Sequence, residues 1–232
     1  MNGAVAAAWA LLPEYLGWHV LLSASALVLG VAISLPLAVA ASRSPRLRWP
    51  VLAFAGLIQT IPSLALLALF FPLLLALSQL SKGLIGHGFS ALGFLPSLLA
   101  LTLYSMLPIL RTATTGILGV DRAVREAADG VGMTPSQRLW RVELPLATPV
   151  IMAGIRTAAV WTIGAATLST PVGQTSLGNY IFAGLQTENW VFVLFGCAAS
   201  AGLAIAADQL LGLMETGAAR RDRRLVIAGG AG

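Results

Sequence analysis

EAADGVGMTPSQRLWRVELP, residues 126–145, is a polar, arginine-containing island in a chain that otherwise reads as bilayer. On either side lie apolar runs of about twenty residues, at 91–110 and 148–169, so the island reads as a loop between two membrane spans. With 57% hydrophobic and only 10% charged residues among 232, and a mean hydropathy of +0.85, the chain has too little polar surface to cover a soluble domain. The expected fold class is all-α, a polytopic bundle of membrane helices.

Five runs meet or approach the length of a spanning helix: 20–41, 51–71, 91–110, 148–169 and 190–214. The second stays uncharged as far as Leu80 and holds Pro62 and Pro72, which predicts either a kink or a re-entrant turn. Residues 4–12 are apolar but too short to cross; they read as a frayed or interfacial outer helix, with a sixth span as the alternative. The first residues lack a positive leader region and run on into a full span, so that span is expected to act as its own insertion signal.

Arginine placement predicts the sidedness. Arg43, Arg46 and Arg48 follow the first span, Arg111, Arg122, Arg125, Arg138 and Arg141 the third, and Arg220, Arg221, Arg223 and Arg224 the fifth. By the positive-inside rule these three regions are cytoplasmic, with the N-terminus outside and the C-terminus inside. The opposite loops carry Lys82 in one case and no Lys or Arg across 171–189 in the other. A single domain over 1–232 follows, with its helical core at 18–214, a cytoplasmic loop at 121–145 and a tail at 215–232. The formal charge of +5 is thus read as membrane topology and not as a nucleic-acid surface.

Local chemistry divides the island into two short helices. Asp121 suits an N-cap for a helix through Ala128, which Gly130 and Gly132 would stop. Thr134-Pro135-Ser136-Gln137 reads as a capping box, and Leu144-Pro145 as the end of the second helix and the start of the next span. Ala127 and Ala128 present little bulk to a partner's groove, Gly132 permits a tight turn, and Glu126 has either a partner's basic group or Arg122, four residues earlier, to pair with.

Glu126-Ala127-Ala128, Gly132 and Val142-Glu143-Leu144-Pro145 at this spacing resemble the EAA loop of ABC-importer permeases. Further segments resemble the osmoprotectant branch of that family, which takes up glycine betaine, choline and carnitine: 59–63 (QTIPS), 107–112 (LPILRT), 153–158 (AGIRTA) and 176–178 (SLG). The chain departs from that branch at 172–178 (VGQTSLG), where a Gly-Ala-Gly-Gly-Leu-Gly run is usual. The resemblance implies a type I importer permease fold in a bacterial inner membrane and ATPase coupling through Glu126, Ala127, Ala128, Gly132, Leu144 and Pro145. It also implies two cytoplasmic ABC ATPases carrying the ATP and magnesium, an outer substrate-binding protein and a second permease subunit, identical or related. This chain itself would be no enzyme and hold no cofactor. Rival readings are an ion-coupled transporter or channel, a permease for another small solute such as an amino acid, and a membrane scaffold.

Within the spans, Arg111, Arg156 and Asp208 are the ionisable residues, each near a predicted cytoplasmic end and so expected to snorkel. Pro62, Pro108 and Gly164 are either hinges or static kinks. Gln59, Tyr104 and Trp161 complete the candidate pathway residues; an aromatic face attracts a quaternary ammonium, but packing accounts for a single ring equally. His19 and His87 stand alone without metal-ligand spacing and read as interfacial or loop residues, and Cys197 as a small buried one.

Overall fold

A computed structural model describes residues 2–229, with side chains from 3 to 215. Arg220, Arg221, Arg223 and Arg224, which bear on the sidedness of the tail, lie outside the described side chains. The helices are α1 (Asn2–Arg43), α2 (Pro45–Thr60), α3 (Ser63–Ile85), α4 (Phe94–Leu118), α5 (Arg122–Gly130), α6 (Pro135–Arg138), α7 (Leu144–Ala166), α8 (Gly178–Gln186) and α9 (Trp190–Gly229). A π-helical stretch, Leu139–Glu143, joins α6 to α7, and a 3-10 helix, Thr167–Val172, follows α7. Among the described residues, five helical segments are long and apolar enough to cross a membrane. The all-α membrane bundle is as expected.

Helix α4 is the centre of the bundle, packed between α1 and α7. Ala38 of α1, Met106, Leu107, Leu110, Ala113 and Ile117 of α4, and Ala147 and Ile151 of α7 form one continuous buried cluster. Small residues let the backbones approach closely, the usual device where lipid removes the hydrophobic drive between helices. A β-carbon on Gly154 would fall 1.8 Å from the Thr112 hydroxyl oxygen, and one on Gly30 1.9 Å from that of Ser105.

Several expected boundaries move, each for a physical reason. Residues 4–12 are the first turns of the 42-residue α1 and neither a frayed helix nor a sixth span. At 1.5 Å per residue α1 is about 63 Å long, roughly twice the hydrocarbon thickness. Its N-terminal part is held by tertiary contact: Ala8 is buried against Leu177 and Tyr180, and the Tyr180 hydroxyl donates to the Ala8 carbonyl at 2.5 Å.

The expected second span, 51–71, falls across two helices, α2 and α3, broken at Ile61 and Pro62, and the helix long and apolar enough to cross is α3, Ser63–Ile85. Proline disfavours helical geometry in the residue before it, and Ile61 is accordingly extended. Helix α4 continues eight residues beyond its expected end at 110, because Ala113, Thr114, Gly116 and Ile117 are buried and hold that polar turn in the bundle. Leu144-Pro145 does not interrupt the chain: the loop's second helix runs through the π-helical stretch into α7. The Leu144 amide donates to the Leu139 carbonyl, five residues back, and this wider turn relieves the clash a proline makes with a regular helix.

Three isolated residues also differ from expectation. His19 is fully buried in α1, where one ring nitrogen lies 3.1 Å from the Ile163 carbonyl and the other accepts from the Leu177 amide at 3.3 Å. Arg156 is paired and does not snorkel alone, binding both oxygens of Asp208 at 2.9 Å and Glu215 at 3.2 Å across α7 and α9. Cys197 is exposed on α9.

Candidate functional site

The hairpin at 121–145 is built by the caps its sequence encodes. Asp121 accepts from the Ala123 amide at 2.9 Å and opens α5. Arg125 reaches back to α4, donating to the Leu118 carbonyl at 2.9 Å and to that of Val120, which supplies partners at a helix end. A Schellman turn closes α5: the Met133 amide donates to Ala128 at 3.1 Å, the Gly132 amide to Asp129 at 3.0 Å, and Gly132 has φ +80°. The Thr134 hydroxyl then accepts from the Gln137 amide at 3.3 Å while the Gln137 side chain accepts from the Thr134 amide at 2.9 Å.

The expected contact residues separate into two groups. Glu126, Ala127, Gly132 and Pro145 are exposed, Leu144 is half-buried, and Ala128 is buried in the hairpin's own packing. Glu126 accepts from Arg122 at 2.6 Å, an exposed i,i+4 pair worth little in water. A Cβ at Gly132 would meet nothing within 4 Å, so added bulk there projects outward.

Two features escaped the sequence reading. Val131 and Trp140 are 75% and 69% exposed on this charged hairpin. Glu143 is completely buried, with both carboxylate oxygens on Arg43 at the end of α1 and Oε1 3.2 Å from Nε of Arg138. Arg138 in turn holds Asp129 of α5, one contact measuring 2.6 Å. A signal existed in the lone carboxylate at the foot of an apolar span beside two arginines, since a charge there demands a partner.

Among the candidate pathway residues, Gln59, Pro62 and Tyr104 meet at the break between α2 and α3. The Tyr104 hydroxyl donates to the Ile61 carbonyl, and Nε2 of the Gln59 side chain donates to the Tyr104 carbonyl at 3.2 Å. Pro108 is buried one turn further along α4. Trp161 and Gly164 sit apart, on an exposed face of α7. A cleft of about 380 Å³ there is lined by Ala153, Arg156, Thr157, Val160, Trp161 and Asp208. The segment at 172–178 that departs from the osmoprotectant pattern is ordered by side chains in and beside it: Asn179 accepts from the Ser176 amide at 2.8 Å and from the Thr170 hydroxyl at 3.1 Å.

Comparison with known proteins places this architecture. Residues 30–219 match the family described as binding-protein-dependent transport system inner membrane component. The choline transport system permease protein OpuBB of Bacillus subtilis (strain 168) is 41% identical over 197 residues, covering 85% of this chain and 83% of that protein. The osmoprotectant import permease protein OsmW of Salmonella typhimurium is 40% identical over 193 residues, 83% and 85% of the two chains. In fold, the chain resembles an inward-facing form of the MetNI methionine ABC transporter, with a TM-score of 0.76 at 19% identity over 90% of this chain and 96% of that one. With the match covering most of its length and these relatives spanning more than four fifths of it, the chain belongs to the inner-membrane permeases of binding-protein-dependent transport systems.

Proposed function

We propose that this permease serves an ATP-driven importer of quaternary-amine osmolytes, glycine betaine, choline or carnitine among them. One observation carries the substrate class: relatives named for choline, for glycine betaine/carnitine/choline and for carnitine transport are 37–41% identical across about 85% of this chain. In this reading two copies, or this chain and a related one, surround the pathway. A separate substrate-binding protein delivers solute to the far side, and two ATPases engage the hairpins.

The hairpin suits that engagement because Val131 and Trp140 offer apolar contact beside Glu126, Ala127 and Gly132. ATP-driven closure of the ATPases shifts the hairpin, and the shift passes through α7 and α4 to favour the inward-open or the outward-open bundle. Gln59, Pro62, Tyr104 and Pro108 supply the bend in this scheme, and Trp161 and Gly164 contribute an exposed face toward the pathway.

Proteoliposomes holding the permease, its co-purified ATPase and its binding protein test the reading. Labelled glycine betaine and choline should enter with ATP, and not with a non-hydrolysable analogue. Uptake that follows an ion gradient and ignores ATP would rule the reading out. For sidedness, single cysteines at Gly132 and Gly86 in a Cys197→Ala background should be labelled from the cytoplasm and from outside respectively.

A further inference from the structure

We infer that Glu143 is the pin that makes the hairpin and the end of α1 move as one body, and so is a positioning residue for coupling. This deepens the reading that the hairpin meets an ATPase and rests on it.

The geometry joins elements that are far apart in sequence. Arg43 ends α1, Asp129 belongs to α5, Arg138 ends α6, and Glu143 lies in the π-helical stretch that leads into α7. Two guanidinium groups and two carboxylates alternate in the order Arg43, Glu143, Arg138, Asp129, so the charges cancel. Only Glu143 is wholly buried; Arg43 and Arg138 are 36% and 19% exposed. A carboxylate at zero exposure cannot fall back on water, whereas either arginine can turn outward. Glu143 therefore holds Arg43 by two hydrogen bonds and Arg138 by charge at 3.2 Å, without a hydrogen bond to its Nε, and these partners bring the tip of α1 and the end of α5 with them.

Without this pin, the hairpin keeps its own caps and its tie from Arg125 to the end of α4. It would remain folded, attached to α4 and continuous with α7, yet lose its charged tie to the end of α1. Force applied to it would then be taken up by local rotation before reaching the bundle. The bidentate contact from Arg43 matters because a two-point contact fixes orientation as well as distance.

The test needs one readout independent of any ATPase and one of coupling. Spin labels at Val131 and Trp49, both exposed, in the Cys197→Ala protein in lipid nanodiscs report the hairpin's position relative to the start of α2. We expect a narrow distance distribution in that parent and at least a doubling of its width in Glu143→Gln and Arg43→Gln. Arg43→Lys, which keeps the charge but can make only one point of contact, should fall between the parent and Arg43→Gln. In the assembled transporter, labelled glycine betaine or choline taken up per ATP hydrolysed should fall at least fivefold in Glu143→Gln, with ATPase still bound. Arg43→Lys should lose less of that ratio than Arg43→Gln.

An unchanged width in both Gln variants overturns the inference, as does an unchanged uptake per ATP in a variant whose distribution has broadened. Should Glu143→Gln fail to insert, Arg43→Gln alone decides both readouts. Loss of ATPase binding in Gly132→Trp and its retention in Glu143→Gln separates docking from pinning. If the unsubstituted transporter takes up neither solute, the substrate reading fails while the distance measurement still decides the pin.

Discussion

The hydroxyl of Tyr104 donates to the carbonyl of Ile61, so the central helix α4 closes the gap between α2 and α3. Pro62 holds Ile61 extended, so the Ile61 carbonyl lies in the break between α2 and α3, outside the hydrogen bonding of either helix, and takes its donor from Tyr104. Tyr104→Phe keeps the ring and removes the donor. Stability should fall by about 1–2 kcal/mol, read as a lower midpoint of thermal unfolding in detergent. Gln59→Leu should lower it less, and the double substitution by less than the sum, because both bonds secure one junction.

Gly154 faces Thr112 with no room for a side chain. Gly154→Ala should separate α4 from α7 and destabilise the bundle by about 1–3 kcal/mol, checked by thermal unfolding. Thr112→Ala in the same protein should restore only part of the loss, since the β-carbon of residue 112 and the Pro108 carbonyl would still lie 2.8 and 3.0 Å away.

His19 ties three elements that meet at the far end of the bundle. In His19→Leu the Ile163 carbonyl and the Leu177 amide both lose their partner in a buried setting. The expected loss is about 2–4 kcal/mol from two unsatisfied groups, again measured by thermal unfolding. His19→Asn, which can reach at most one of them, should fall between Leu and the unsubstituted protein.

Two effects meet at Gly132. Its φ of +80° is strained for any other residue, by roughly 1 kcal/mol, so Gly132→Ala should loosen the hairpin modestly and leave uptake largely intact. Gly132→Trp adds outward bulk and should abolish coupled uptake while the protein still inserts. Co-purification of the ATPase and uptake together check it. A Trp variant that assembles and transports normally would remove the hairpin from the docking surface.

The caps of the hairpin were legible because their chemistry is local: Asp121, Gly132 and the Thr134 box act on amides within a few residues of themselves. The bundle of five spans was legible because hydropathy is a property of the run. What sequence did not disclose depends on contact between distant segments. Ala128 looked as exposed as Ala127 until the hairpin folded onto it. Residues 4–12 were too short to span alone, but Tyr180 and its neighbours made them part of α1. Arg43 read as a topology signal, and nothing near it in sequence pointed to a carboxylate one hundred positions away. Arg156 and Asp208 each looked like a snorkelling charge, because neither helix by itself shows that the other stands opposite.

The π-helical stretch at Leu139–Glu143 holds one residue more than a regular helix would use to cover the same turn. Removing Trp140 or Val142 would let the turn tighten, with the segments before and after it close to their present facing. The same deletion further along α7, at Ile155, would swing everything beyond it by about 100° around the helix axis and carry Trp161 and Gly164 to another side. The join between hairpin and bundle is thus the point in this chain where a change of length is absorbed rather than passed on.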